Sequence, residues 1–182
     1  MHNVERMRLG VIVERRESNH PWQDHTWQPV AVLAGVPESG ARASDWQLLA
    51  EGPGWKQLYA GALELELFPK ETDAYQINLT SATPVVYVIL RPREDAEAFE
   101  VEPFHVTVSA DEVRDYLDAG GDIIEGVPMP AAVRAWVEGY VARYHRAEAF
   151  EKYPRKRWKD EGSARPPQAS MRGERSKARG SA

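Results

Sequence analysis

The densest group of chemically capable side chains is NHPWQDHTW, Asn19 to Trp27, which holds His20, Asp24 and His25 between Trp22 and Trp27. Imidazole and carboxylate together ligate zinc, iron or manganese, and Asp24 beside His25 is a possible acid and base pair near neutral pH. The spacing matches no metal motif, however, and neighbours in a strand point to opposite faces, so Asp24 and His25 do not converge readily on one ion. The same residues suit a partner surface, because tryptophan dominates interface hot spots. They also suit plain structure: Pro21 and Asp24 favour a turn, and Trp22 with Trp27 can cover the open end of a small sheet.

A second group, LFPKETDAYQINL (67–79), offers Lys70, Glu71, Thr72, Tyr75 and Asn78, a base, an acid, two hydroxyls and an amide. Enzymes use such sets, and so do solvated hairpins. Asn78 reads as a strand residue, and a buried amide there needs partners and would recognise peptide backbone. A third group, YHRAEAFEKYPRKRW (144–158), interleaves aromatics with Arg155, Lys156 and Arg157. That pattern stacks bases and neutralises phosphates, or ends a helix whose aromatics fold back. The chain has no GxGxxG, GxxxxGK[ST] or GxSxG, so phosphate cradles and the serine-hydrolase elbow lack their sequence basis. Cysteine is absent, which removes disulfides, thiolate metal sites and thiol nucleophiles and leans towards a reducing compartment.

The elements that must position these groups are short and mostly extended. Leu9, Val11 and Val13 alternate within Arg8 to Arg16, and Trp27 to Leu33 repeats the pattern. Gly35 to Ser44 reads as a loop and Asp45 to Leu49 as one helical turn. Trp55 to Ala60, Ala62 to Pro69, Ala74 to Thr80 and Pro84 to Arg91 read as four strands, joined by links too short for parallel crossovers and therefore as an antiparallel meander. Arg93 to Glu102 is an acidic loop, and Phe104 to Val108 adds a strand. Ser109 and Glu112 form a capping box for a helix that ends at Gly120 and Gly121. Asp122 to Pro130 reads as a tight connection, because Pro128 and Pro130 disfavour a regular helix or a central strand. A second helix from Ala131 to roughly Phe150 buries Val133, Trp136, Val137, Tyr140, Val141 and Tyr144.

The expected fold is α+β: a curled antiparallel sheet or partly open barrel of about six to seven strands, covered by two C-terminal helices. Residues 1–152 form the single domain and 153–182 a basic, largely disordered tail. Charge divides the same way. From Arg155 onward nine basic side chains face three acidic ones, whereas the first 154 residues hold 14 basic and 25 acidic, a balance of −11. An acidic body of this kind repels nucleic acid, so a nucleic-acid partner is not expected. The first residues lack the pattern of a signal peptide, and no run approaches the roughly 18 apolar residues of a membrane span. No cofactor is expected.

Several ordered blocks carry a resemblance: VIVERR, PWQDHTWQPVAVLAG, LELELFPKETDAYQINL, PVVYVILR, VTVSADEVRDYLDAGGDIIEGVPMP and KYPRKR. Together they resemble a proteobacterial family, the domain of unknown function 3305, over about residues 6 to 158. Segments Pro21 to Trp27, Lys70 to Asn78 and Gly126 to Pro130 match its more recognisable parts, while the tail after Trp158 looks more variable. The family has no assigned catalytic residues. The resemblance implies a role through genomic company, since members are typically encoded beside subunits and accessory factors of molybdenum-dependent formate dehydrogenases.

The expected function is therefore a cytoplasmic, non-enzymatic accessory protein. Its partner, a formate dehydrogenase subunit or maturation factor, would meet Trp22, Asp24, His25, Trp27, Lys70, Tyr75, Asn78, Arg155, Lys156 and Arg157. The alternatives are a small enzyme or metal-binding protein using Asp24 and His25, and a nucleic-acid- or ligand-binding regulator using the tail.

Overall fold

Strand β1 (Glu5–His20) turns Leu9, Val11 and Val13 inward and Arg8, Gly10 and Ile12 outward, as its alternation requires. The structure, a computed structural model, describes residues 3–36, 46–94 and 99–145. The chain divides into two units, Met1–Ala147 and Glu148–Ala182. The second lies outside the described residues, and with it the expected basic tail, including Arg155, Lys156 and Arg157.

Strand β1 pairs antiparallel with β2 (Gln23–Ala34) on one side and β4 (Trp55–Leu67) on the other, and β3 (Gln47–Gly52) borders β4. A second sheet has β5 (Val85–Pro92) between β6 (Val101–Thr107) and β7 (Ile123–Pro128). The architecture is thus two separate antiparallel sheets, ordered β2-β1-β4-β3 and β6-β5-β7. This corrects the single curled sheet or partly open barrel. The inner faces share one core: Leu9, Val11, Val13, Val32, Leu58, Ala60, Leu65 and Leu67 from the first sheet meet Val86, Val88, Leu90, Val101, Val106 and Val127 from the second.

Among the described residues the fold has three α-helices rather than two. After a 3-10 turn at Pro69–Glu71, α1 (Thr72–Thr80) occupies the stretch expected as a strand. Thr72, Tyr75 and Asn78 recur every third residue and are buried, while Ile77 is 69% exposed, so the helical period prevails over the apparent alternation. Helix α2 (Ala110–Ala119) starts at the expected cap, where Ser109 Oγ accepts from the Glu112 amide at 3.3 Å. Helix α3 (Ala131–Tyr144) buries Val133, Val137 and Tyr140, and α1 packs on it. Burial, with the Glu5 carboxylate nearby, pushes the Tyr140 phenol up to about 12, so it stays a neutral donor to Asn3 O at 2.6 Å.

Three further expectations change. Gln47–Gly52 is an edge strand, not a helical turn, held by pairing with β4. Trp55 to Leu67 is one strand, not two. Gly61, at φ 98°, lies within it where the register slips between Gly10 and Ile12, a bulge that absorbs the break without ending the pairing. Ile123–Pro128 is a strand at the sheet edge, a position that tolerates Pro128 because an edge leaves one side of the ladder unpaired.

The two ends of the sheet pair are closed differently. At the Glu5 end, α3 is anchored by Trp136 Nε1 and Arg143 donating to the Glu5 carboxylate, each at 3.0 Å. Ten residues along β1, roughly 33 Å at about 3.3 Å per residue, the other end is closed by aromatic side chains.

Candidate functional site

That second end is where the first sequence group lies. The last β1 residue paired with β4 is Arg16, and the Glu17 amide still donates to Gly54 O at 2.8 Å in the turn before β4, so Ser18 to His20 and the facing start of β2 extend beyond β4 as a two-stranded hairpin. Its tip is the Pro21–Trp22 turn. Trp22 is 89% exposed, and its amide donates to His20 Nδ1 at 3.4 Å. Asp24 is exposed, and His25 sets its Nδ1 3.9 Å from the Glu100 carboxylate. Among the described residues no three His, Cys, Asp or Glu side chains are grouped to hold a metal ion.

Trp27, only five residues from Trp22, is 6% exposed. Its ring meets Trp46 edge-on at 5.7 Å between centroids and Phe99 at 6.3 Å, and those two stack at 4.2 Å. Its Nε1 donates to Glu100 Oε2 at 3.1 Å, so the polar edge of the indole is satisfied inside the fold. Trp27 therefore plugs the end between the sheets, while Trp22 stands free of that plug. Trp46, Phe99 and Trp55 are each half-buried nearby on the first sheet or at the entrance to β6, and Leu48 and Leu49 of β3 are about half exposed. The surface at this end presents aromatic and apolar groups of the kind that protein interfaces use.

The second sequence group is brought together elsewhere. Tyr75 is 1% exposed; its hydroxyl accepts from the Phe68 amide at 3.1 Å, and burial raises its pKa above the usual phenol range. Asn78 is 7% exposed. Its Nδ2 donates to Val85 O at 2.8 Å and Val108 O at 2.9 Å, and its Oδ1 accepts from Val85 N at 3.0 Å. It does read peptide backbone, as its amide suggested, but the backbone is its own. Trp27, Tyr75 and Asn78 thus spend their contacts inside the domain, which leaves Trp22, Asp24, Lys70 and, in part, His25 as the described members of the expected partner set at the surface.

Lys70 and Glu71 line an open cleft of about 270 Å³ with Phe68, Asp111, Glu112 and Asp115. Behind it lies a network that sequence reasoning missed. Glu112 Oε1 is 2.7 Å from His105 Nε2, Thr107 Oγ1 donates to Glu112 Oε2 at 2.6 Å, and Ser109 Oγ donates to Glu71 Oε2 at 3.1 Å. Burial works against the Glu112 charge, yet hydrogen bonds from His105 and Thr107 outweigh it and hold the carboxyl below its ordinary range. It is therefore an ionised acceptor, not a poised acid. Ser109 and Thr107 are buried, so neither hydroxyl is offered as a nucleophile. The available signal was the capping box: Glu112 was found as its acidic member, and His105 and Thr107 alternate on β6 towards it.

No described helix is long and apolar enough to cross a membrane. No curated protein and no solved structure matches the chain. Residues 8–156 match the family model described as protein of unknown function (DUF3305), and on that match the chain belongs to the DUF3305 family.

Proposed function

We propose that this chain is a non-enzymatic accessory protein that grips a protein partner with the tryptophan-bearing end of its four-stranded sheet. One observation carries the reading: Trp22, at the tip of a hairpin that outruns β4, is 89% exposed. The fold has no use for that side chain, since Trp27 with Trp46 and Phe99 closes the same end. A large aromatic on an arm whose two strands are already paired loses little entropy on insertion into a partner's apolar pocket. Asp24 and His25 flank it as polar rim groups.

The client is a formate dehydrogenase subunit or maturation factor, and the setting is the bacterial cytoplasm. Support for both comes from the genomic company of the family that the sequence resembles. The acidic cleft at Lys70 and Glu71 favours no competing chemistry, because its principal carboxylate is already bonded to His105 and Thr107.

The test is an affinity pull-down of the tagged full chain from its native bacterium grown so that formate dehydrogenase is made, alongside Trp22→Ala. Recovery of a formate dehydrogenase subunit or maturation factor by the wild type, lost with Trp22→Ala, is the expected result. Equal recovery with both proteins sinks the tryptophan anchor, and absence of such a protein from the wild-type eluate sinks the client.

A further inference from the structure

The outer face of the four-stranded sheet is uncovered by any described helix: α2 packs on β6, and α1 on α2 and α3. Its centre is small and apolar. Gly10, Ile12, Ala31, Leu33, Tyr59 and Ala62 share this face by register, and Leu33 is 47% exposed. A side chain on Gly10 would come within 2.6 Å of Tyr59 Cε2, so the phenol ring occupies the space above the glycine. An antiparallel sheet with one solvated face ordinarily alternates apolar-in with polar-out. Here the middle of the outer face breaks that rule.

The charged groups around this centre are balanced. Arg6, Arg8 and Arg16 are matched by Glu66, Glu64 and Glu14 on the same face, in a body whose first 154 residues have 14 basic and 25 acidic side chains. Two such acidic bodies repel each other almost everywhere, and least where each presents this neutral face. The register adds direction. Across β1 and β4, Arg6 is opposite Glu66, Arg8 opposite Glu64, Gly10 opposite Ala62 and Ile12 opposite Tyr59. A two-fold axis parallel to the strands and running between β1 and β4 lays each residue over the complement of its own partner strand. Arg6 meets the partner's Glu66, Arg8 meets the partner's Glu64, and Gly10 meets the partner's Ala62. The Arg8–Glu64 pair within one chain is loose at 3.8 Å, with the glutamate 53% exposed, so both ends retain capacity for a second partner.

We infer that this face is an isologous dimer interface, and that its occupant is a second copy of this chain. Four strands about 4.8 Å apart over ten residues of about 3.3 Å give roughly 600 Å² per copy. That sum over two copies reaches the lower bound of area for a specific interface. The face is separate from the Trp22 tip, so the dimer and the client reading stand or fall independently.

Light scattering on the full chain after size exclusion, loaded at about 100 µM so that even a dimer of micromolar Kd is populated, should give twice the chain mass of 20.5 kDa. Ala62→Glu places a carboxylate at the centre and should return the mass to one chain. Arg8→Glu alone and Glu64→Arg alone should each be monomeric, since like charges then face each other across the axis. Mixing those two variants should restore the doubled mass, because each mutated side chain then faces its opposite, an effect that no role within one chain can mimic. A monomeric wild type overturns the inference, as does a dimer that survives Ala62→Glu or a mixture that stays monomeric while both variants retain wild-type circular dichroism.

Discussion

Asn78→Ala should destabilise the domain by about 3 kcal/mol, because three hydrogen bonds of about 1 kcal/mol net each disappear. The lost bonds are those to Val85 O, Val85 N and Val108 O, at 2.8, 3.0 and 2.9 Å. The figure rises towards about 5 kcal/mol if the freed carbonyls stay dry, since a buried group without a partner costs about 1–3 kcal/mol. Asn78 sits on α1 and ties together the start of β5 and the chain leaving β6, so its loss loosens a junction of three elements. With a urea slope of about 2 kcal/mol per molar, the unfolding midpoint should fall by about 1.5 M. Asn78→Asp should cost at least as much, because a carboxylate cannot donate to either carbonyl and would sit 7% exposed beside both. A midpoint within about 0.3 M of wild type, accompanied by lost partner binding, would refute the internal role and return Asn78 to the partner surface.

Three other outcomes follow from the same geometry. Gly10→Ala should cost about 1–3 kcal/mol by forcing Tyr59 aside, and the cost should shrink in a Tyr59→Ala background, as a thermal-unfolding double-mutant cycle would reveal. Glu112 is held below the usual carboxyl range, so its stabilisation is fully present above about pH 4.3 and is lost as the pH falls through the lower folded value; urea midpoints at pH 7 and in the acid range should therefore converge more for Glu112→Gln than for the wild type. Trp27→Ala should lose about 3–5 kcal/mol with the Trp46 and Phe99 contacts, whereas Trp22→Ala should stay within about 0.5 kcal/mol of wild type in chemical denaturation.

Local periodicity carried much of this fold, and failed where long-range contacts decide. Leu9, Val11 and Val13 alternate cleanly because β1 has one dry face, and the Ser109 cap and the Val133, Val137 and Tyr140 stripe were visible because capping and helical spacing are local. The α1 segment misled because Tyr75, Ile77 and Leu79 alternate with polar neighbours as a strand would, and nothing within the segment announces that Ile77 faces water. The division into two sheets was not legible either. It depends on β4 returning beside β1, with Glu5 opposite Leu67, while β5 takes β6 and β7 as neighbours instead of joining that ladder. The missed His105–Glu112 pair has the same cause, since each residue is ordinary until the β6 and α2 faces meet.

The tryptophans make the distinction between fold and function most sharply. Residue type nominated Trp22 and Trp27 equally, both as plugs and as contacts, and only their positions along the hairpin separate them. Trp27 faces inward opposite Arg15, where the space between the sheets must be filled, and satisfies its N–H on Glu100. Trp22 lies at the hairpin tip, past the last rung that β4 shares with β1, and is left 89% exposed. An indole of about 200 Å², at about 25 cal/mol per Å², represents about 5 kcal/mol of burial that folding has not used. Ordering the tip on binding would consume part of this, but the arm is already paired and the cost is confined to one side chain of about 0.5–1.5 kcal/mol. The remainder is of hot-spot size, which is why a single exposed side chain, rather than the broader aromatic count of the sequence, bears the weight of the partner-binding reading.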